Sequence, residues 1–147
     1  LQLWVYTMDG ATISSSDGIN MGVRTPPPTS ASIVGSGDYD GDGNADILWR
    51  DTSTGFNWIY FMNGATIVDA LGVNIVSGTD WAIVGNGDYD GDGDSDVIVA
   101  IRENAAVILL NRGLSRAEVA AGAPIFADPM LLELPVTPVA QELPLAL

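Results

Sequence analysis

The segment Ile33-Val-Gly-Ser-Gly-Asp-Tyr-Asp-Gly-Asp-Gly-Asn-Ala-Asp46 returns fifty residues later as Ile83-Val-Gly-Asn-Gly-Asp-Tyr-Asp-Gly-Asp-Gly-Asp-Ser-Asp96. Self-similarity at this period constrains the fold more than any other feature. A unit this short cannot bury its own apolar surface, so successive units must stack and cover one another.

A second register aligns Leu3-Trp-Val-Tyr-Thr-Met-Asp-Gly-Ala-Thr-Ile13 with Asn57-Trp-Ile-Tyr-Phe-Met-Asn-Gly-Ala-Thr-Ile67. The chain therefore opens halfway through a unit, without that unit's acidic loop. A third copy continues through Ala106-Val-Ile-Leu-Leu-Asn-Arg-Gly113 and then departs from the pattern. The expected organisation is a half unit with a Pro-rich loop over 1–30, a complete unit over 31–80, an incomplete one over 81–116, and a helix with an extended tail over 117–147.

Within the complete unit, short β-favouring runs at Ser32 to Val34, Asp46 to Arg50, Phe56 to Met62 and Thr66 to Asp69 are separated by Gly, Asn, Asp and Ser turns. This spacing predicts a four-stranded antiparallel meander, and the fold class is all-β. Trp58, Tyr60 and Met62 alternate with Ile59 and Phe61, so both faces of the sheet are apolar, as in a sheet held between two others.

After Gly113, Ser115-Arg-Ala-Glu118 has the form of a capping box and predicts a short helix to Gly122, in place of the last strand of its unit. Five prolines lie between Pro124 and Leu147, which forbids a continuous helix and favours extended chain. That tail is either a linker or, given the alternation of Leu132, Leu134 and Val136, an apolar strip lying on a surface. Thr25-Pro-Pro-Pro-Thr29 has no repeat partner and is expected to be a surface loop.

The chain has 147 residues and a formal net charge of −14, with no Lys, Cys or His. Nine of its fifteen Asp fall within 38–46 and 88–96, so the acidity is local and has the form of cation sites. Nucleic acid and anionic lipid are poor partners for such a chain. Thiolate, Ser-His and Cys-His chemistry are excluded by composition, and no acid-base pair suggests an enzyme. No apolar run reaches the ~18–20 residues of a bilayer span, so membrane insertion is not expected.

Both acidic windows have the form DxDxDGxxD. Ca²⁺ takes ~6–8 oxygens, and alternate residues of a tight loop converge on one point. The expected ligands of the first loop are the side chains of Asp38, Asp40, Asp42 and Asp46 and the backbone carbonyl of Asn44. In the second they are Asp88, Asp90, Asp92 and Asp96, with the carbonyl of Asp94. An EF-hand would need an acidic residue at loop position 12, where Trp49 and Val99 stand, so that motif is excluded. With every loop position taken by protein ligands, a structural ion is expected rather than a catalytic one. Tyr39, Tyr89, Trp4, Trp49, Trp58 and Trp81 suit core packing, with stacking on a sugar as the alternative.

Val34-Gly-Ser-Gly37, the DxDxDGxxD loop, the Ile47-Leu-Trp-Arg50 strand and the Met62-Asn-Gly64 turn with its preceding Trp58 together resemble the FG-GAP or VCBS-type repeat, the blade of integrin α-subunit propellers, over residues 1 to about 113. The resemblance implies about two and a half calcium-stapled β-propeller blades, each a four-stranded antiparallel sheet. It also implies two Ca²⁺ sites; sites filled with Asp are useful where Ca²⁺ is near millimolar, and with Cys absent an extracellular or cell-surface setting is expected. Propellers of this family carry about seven blades, so self-association into a ring or filament is one expectation. Others are a protein or glycan partner, a lectin-like propeller, or an accessory piece of a larger secreted enzyme or adhesin.

Overall fold

The computed structural model describes residues 2–22, 26–73, 78–101, 105–114, 116–126 and 130–133. Within them the chain forms β1 (Trp4–Asp9), β2 (Thr12–Gly18), β3 (Ala31–Gly37), β4 (Asp46–Asp51), β5 (Asn57–Asn63), β6 (Thr66–Val73), β7 (Trp81–Gly87), β8 (Asp96–Ile101), β9 (Ala105–Leu109), α1 (Arg116–Ala120) and β10 (Met130–Glu133). Among the described residues the architecture is all-β apart from one short helix.

The strands build an antiparallel hairpin, β1-β2, and two four-stranded antiparallel sheets ordered β3-β4-β5-β6 and β10-β9-β8-β7. Local geometry repeats along with the sequence. The β1-β2 and β5-β6 hairpins turn through Gly10-Ala11 and Gly64-Ala65, and both glycines sit at φ 58°, a left-handed conformation that costs glycine little. Register shifts fall at Thr7/Met8 and Phe61/Met62, and again at Ile33/Gly35 and Ile83/Gly85. Bulges at equivalent positions give successive sheets the same local twist.

The middle sheet is apolar on both faces, as its alternation predicts. Leu48, Ile59, Phe61 and Val73 face the last sheet and share a core with Val97, Val107, Leu109, Ile125 and Phe126. Trp49, Tyr60, Met62 and Ile67 face the other way, against Leu3, Ile19 and Met21 around the N-terminal hairpin. Complete burial of side chains the size of Phe61 and Ile59 contributes about 1.5–3 kcal/mol each. The hairpin is tied on by Asn20, whose N–H donates to Ala65 O at 2.9 Å and which forms a parallel bridge to Thr66.

One expected boundary changes. The sequence places α1 in the position of the third unit's last strand and ends that unit at 116. Instead α1 is an excursion, and Met130–Glu133 returns to pair antiparallel with β9, Met130 opposite Ile108 and Glu133 opposite Ala105. The open edge of β9 offers unpaired backbone groups, and four residues between prolines are enough to satisfy it. Leu132 therefore belongs to a strand, while Leu134, Val136 and the Ser115 cap lie outside the described residues.

Candidate metal centres

The two acidic loops connect the first and second strands of successive sheets, β3 to β4 and β7 to β8. In the first, Asp38 accepts the N–H groups of Asp42 (3.1 Å) and Gly43 (2.8 Å), Asp40 accepts that of Asp42 (3.3 Å), and Asp42 accepts that of Asn44 (2.8 Å). Gly41 and Gly43, at φ 70° and 85°, supply the left-handed steps that wrap the chain round its own carboxylates. The second loop repeats the pattern. Asp88 accepts from Gly91 (2.7 Å), Asp92 (3.1 Å) and Gly93 (3.1 Å), and Asp92 accepts from Asp94 (3.0 Å).

This folding gathers one carboxylate oxygen from each of Asp38, Asp40 and Asp42 within 4.8 Å of one another, and likewise from Asp88, Asp90 and Asp92. Each triad could hold a metal ion. The donors are all hard oxygens, the set that Ca²⁺ prefers. Burial together with the neighbouring Asp92 and Asp96 charges raises the Asp90 carboxyl, and burial with Asp92, Asp38, Asp88 and Asp96 raises that of Asp94. A bound cation would relieve that crowding.

Asp46 and Asp96 stand outside the triads and do something the sequence did not reveal. Asp46, 1% exposed, accepts Tyr39 N–H at 3.0 Å on Oδ2 and Met62 N–H at 2.9 Å on Oδ1. Asp96, completely buried, accepts Tyr89 N–H (2.8 Å) and Asn111 N–H (2.6 Å). Asp46 thus ties its loop to the third strand of its sheet, and Asp96 ties its loop to the segment just after β9. A carboxylate oxygen has a second lone pair, so this duty is compatible with ligation. Burial, helped by the Asp40 and Asp42 charges, pushes the Asp46 carboxyl up to about 6 despite the two amides.

Asn44 donates both its backbone N–H and its side-chain amide to Asp42. Its counterpart Asp94 reaches across to the first loop, where a Cβ added to Gly41 would lie 3.0 Å from Asp94 Oδ1. The two loops therefore feel each other's charge.

Loop position 2 holds tyrosine in both copies, with opposite fates. Tyr39 is completely buried beneath the last sheet, edge-on to Phe126 with ring centroids 6.4 Å apart, and burial raises its hydroxyl pKa. Tyr89 is 45% exposed. Around Tyr39, Ser95 N–H donates to Asp38 O (2.8 Å), Asn111 Nδ2 donates to Tyr39 O (2.9 Å), and Asn86 Nδ2 donates to Ser36 O. The first loop is thereby seated on the following sheet.

The fold and loops define an all-β repeat protein with metal-competent acidic turns. Residues 38–99, a span taking in both loops, match the family model of the FG-GAP-like repeat. Comparison with curated proteins and with solved structures gave no match.

Proposed function

We propose that this chain is a non-catalytic, extracellular calcium-binding module of propeller type, in which Ca²⁺ at each acidic loop fixes the junction between one blade and the next. The observation that carries this reading is the pair of carboxylate triads at repeat-equivalent positions, each with its oxygens within 4.8 Å. Asp38, Asp40 and Asp42, and Asp88, Asp90 and Asp92, would hold the ions, supported by Asp46 and Asp96 and by the carbonyls of Asn44 and Asp94.

The ion's contribution is electrostatic. It offsets repulsion among the carboxylates of each loop and, at the first, stiffens a loop whose backbone and tyrosine pack on the next blade. Exposed all-Asp loops suit compartments where calcium is near millimolar, hence an extracellular or cell-surface setting. Such a module serves adhesion or scaffolding by presenting its surface to a protein or glycan partner, alone or as part of a larger secreted protein.

Isothermal titration of the chelator-stripped chain tests this: two calcium ions bind, and the melting temperature rises with calcium concentration. Saturation at about 100 times Kd adds about 2.7 kcal/mol per site. Absence of binding heat together with a melting temperature indifferent to millimolar calcium would sink the proposal.

A second reading is favoured by one feature. A groove of about 550 Å³ is lined by Pro26, Pro27, Pro28, Asp51, Phe56, Trp58 and Tyr60 among others. Phe56 is 57% exposed and stacks on Trp58 at 6.0 Å. The Ser53 hydroxyl and amide hold the Asp51 carboxyl down to about 2, so an ionised acceptor stands beside aromatic faces. That combination suits a sugar ring. A glycan array decides it: loss of a bound glycan on Phe56→Ala supports a lectin-like role, and an array blank in calcium removes it.

A further inference from the structure

Asn44 and Asp94 hold the same place in the two acidic loops, and their side chains go different ways. Asn44 turns back on its own loop, where its Nδ2 donates to Asp42 Oδ1 at 3.0 Å. An ionised carboxylate has no proton to donate and is repelled by a neighbouring one, so Asp94 cannot copy that bond to Asp92. Its backbone keeps the common pattern, with its N–H on Asp92 Oδ1 at 3.0 Å. Its half-buried side chain lies instead against the first loop and against the segment that follows β9.

Two glycines leave the space for it. A Cβ added to Gly41, between Asp40 and Asp42, would lie 3.0 Å from Asp94 Oδ1, and one added to Gly113 would lie 2.8 Å from Asp94 Oδ2. A side chain at Gly113 would therefore push the carboxylate out of its cradle. Asn44 has no such cradle. Gly64 corresponds to Gly113, each standing two residues after an N–H that holds Asp46 or Asp96, and a Cβ at Gly64 would meet nothing within 4 Å beyond its chain neighbours.

Asp94 is held in place by what flanks it. Ser95 N–H donates to Asp38 O at 2.8 Å, and Asn111 Nδ2 donates to Ser95 O and Tyr39 O at 3.2 and 2.9 Å. These bonds fix the second loop on the backbone of the first without using an oxygen of either triad. Asp94 itself stands outside both triads, so its carboxylate is not needed to complete either set of three.

We propose that Asp94 serves both metal centres: its backbone carbonyl belongs to the second, and its carboxylate adds negative charge beside the first, so that two successive units hold the first ion together. Ca²⁺ supplies the opposite charge that makes this placement favourable. The first loop, with neutral Asn44 at this position, takes from the second the charge that it lacks. Linkage follows. Lifting the second loop off the first weakens binding of the first ion, and by reciprocity that ion holds the second loop in its seat. The inference rests on the calcium reading proposed above.

The test is a calcium titration of the whole ¹⁵N-labelled chain after chelator treatment. Gly43 N–H donates to Asp38 and Gly93 N–H to Asp88, so the two amide signals report the two centres separately. Asp94→Asn keeps the size and the backbone carbonyl, and should weaken the affinity read at Gly43 at least about fivefold, the low end of coupling between linked sites. Gly113→Ala changes no charge and lies outside both loops, and by displacing the carboxylate it should also weaken the affinity at Gly43. Because both act through one carboxylate, the double variant should be no weaker than Asp94→Asn alone. Dispersed amide signals show which variants fold, and Asp94→Asn decides the matter if Gly113→Ala does not.

An affinity at Gly43 unchanged by Asp94→Asn would overturn the inference and leave the calcium reading intact. So would natural affinity in a folded Gly113→Ala chain, or additive losses in the double variant, which would give Gly113 a structural role of its own. If neither glycine of the natural chain responds to millimolar calcium, both readings fall.

Discussion

Replacing Asp46 by Ala, beside Asp42→Ala in calcium-depleted buffer, separates a carboxylate that organises the chain from one that serves an ion. Asp46 is buried and accepts two N–H groups. Its removal leaves both donors without this acceptor, at about 1–3 kcal/mol each, or about 2–6 kcal/mol in all. Part of this is offset at neutral pH. Burial moves the carboxyl from its ordinary 3.8 to about 6, so the charged form is disfavoured in the fold by about 3 kcal/mol at pH 7. A carboxyl with a higher pKa folded than unfolded holds its proton more tightly in the fold. Its contribution favours folding fully below the unfolded value and is lost as the pH climbs towards about 6. The alanine variant has no such group, so its deficit against the natural chain should be about 1–2 kcal/mol larger at pH 5 than at pH 7. Asp42 is exposed, and its loss without calcium should stay within about 0.5 kcal/mol. Urea denaturation at both pH values gives all four differences. A deficit for Asp46→Ala that does not change with pH, or an Asp42→Ala variant equally weakened without calcium, would refute the assignment of roles.

Other substitutions probe the frame and the junctions. Asp92→Ala should abolish one of two calcium binding events and remove part of the calcium-dependent rise in melting temperature, with little effect in chelator. Trp49→Ala, at a site 1% exposed, should cost about 3–5 kcal/mol, while Trp4→Ala, at a half-exposed site, should cost under about 1 kcal/mol by thermal denaturation. Gly55→Ala should be strongly destabilising, because the added Cβ would meet Gly78 N, O and C at 2.5–2.9 Å from a backbone already at φ 77°. Asn111→Ala removes the donors to Tyr39 O and Ser95 O from a buried site; the expected loss of about 1–3 kcal/mol should appear with faster exchange across the first loop.

Much of this structure was legible in the residues. Alternation of Trp58, Tyr60 and Met62 with Ile59 and Phe61 specified a sheet covered on both sides because the side-chain period of a strand is two. The aspartate spacing specified loops that could close on a cation. The fourth strand of the last sheet was only hinted at by the apolar alternation from Leu132, because Met130–Glu133 pairs for want of a partner on β9, a non-local reason that a four-residue run between prolines does not spell out. The tasks of Asp46 and Asp96 were hidden for another reason. All of these aspartates accept backbone amides, and what sets Asp46 and Asp96 apart is their burial and their reach to Met62 and Asn111, which one-letter spacing does not carry. Tyr39 and Tyr89 likewise share a sequence context and differ in that, among the described residues, a sheet packs over Tyr39 and none over Tyr89.

That difference has a consequence for how the chain acquires its structure. Tyr39 is enclosed by residues as distant as Phe126, so the first loop cannot complete its packing when its own unit is finished. Synthesised from the amino terminus, the chain would carry the middle unit in an unfinished state until the stretch through residue 126 had emerged and folded back. The last sheet supplies the surface on which the first acidic loop is seated, so that loop's native packing waits on residues that follow it in the chain. Such long sequence separation slows the final consolidation and makes the last sheet, rather than the first, the gate for native structure.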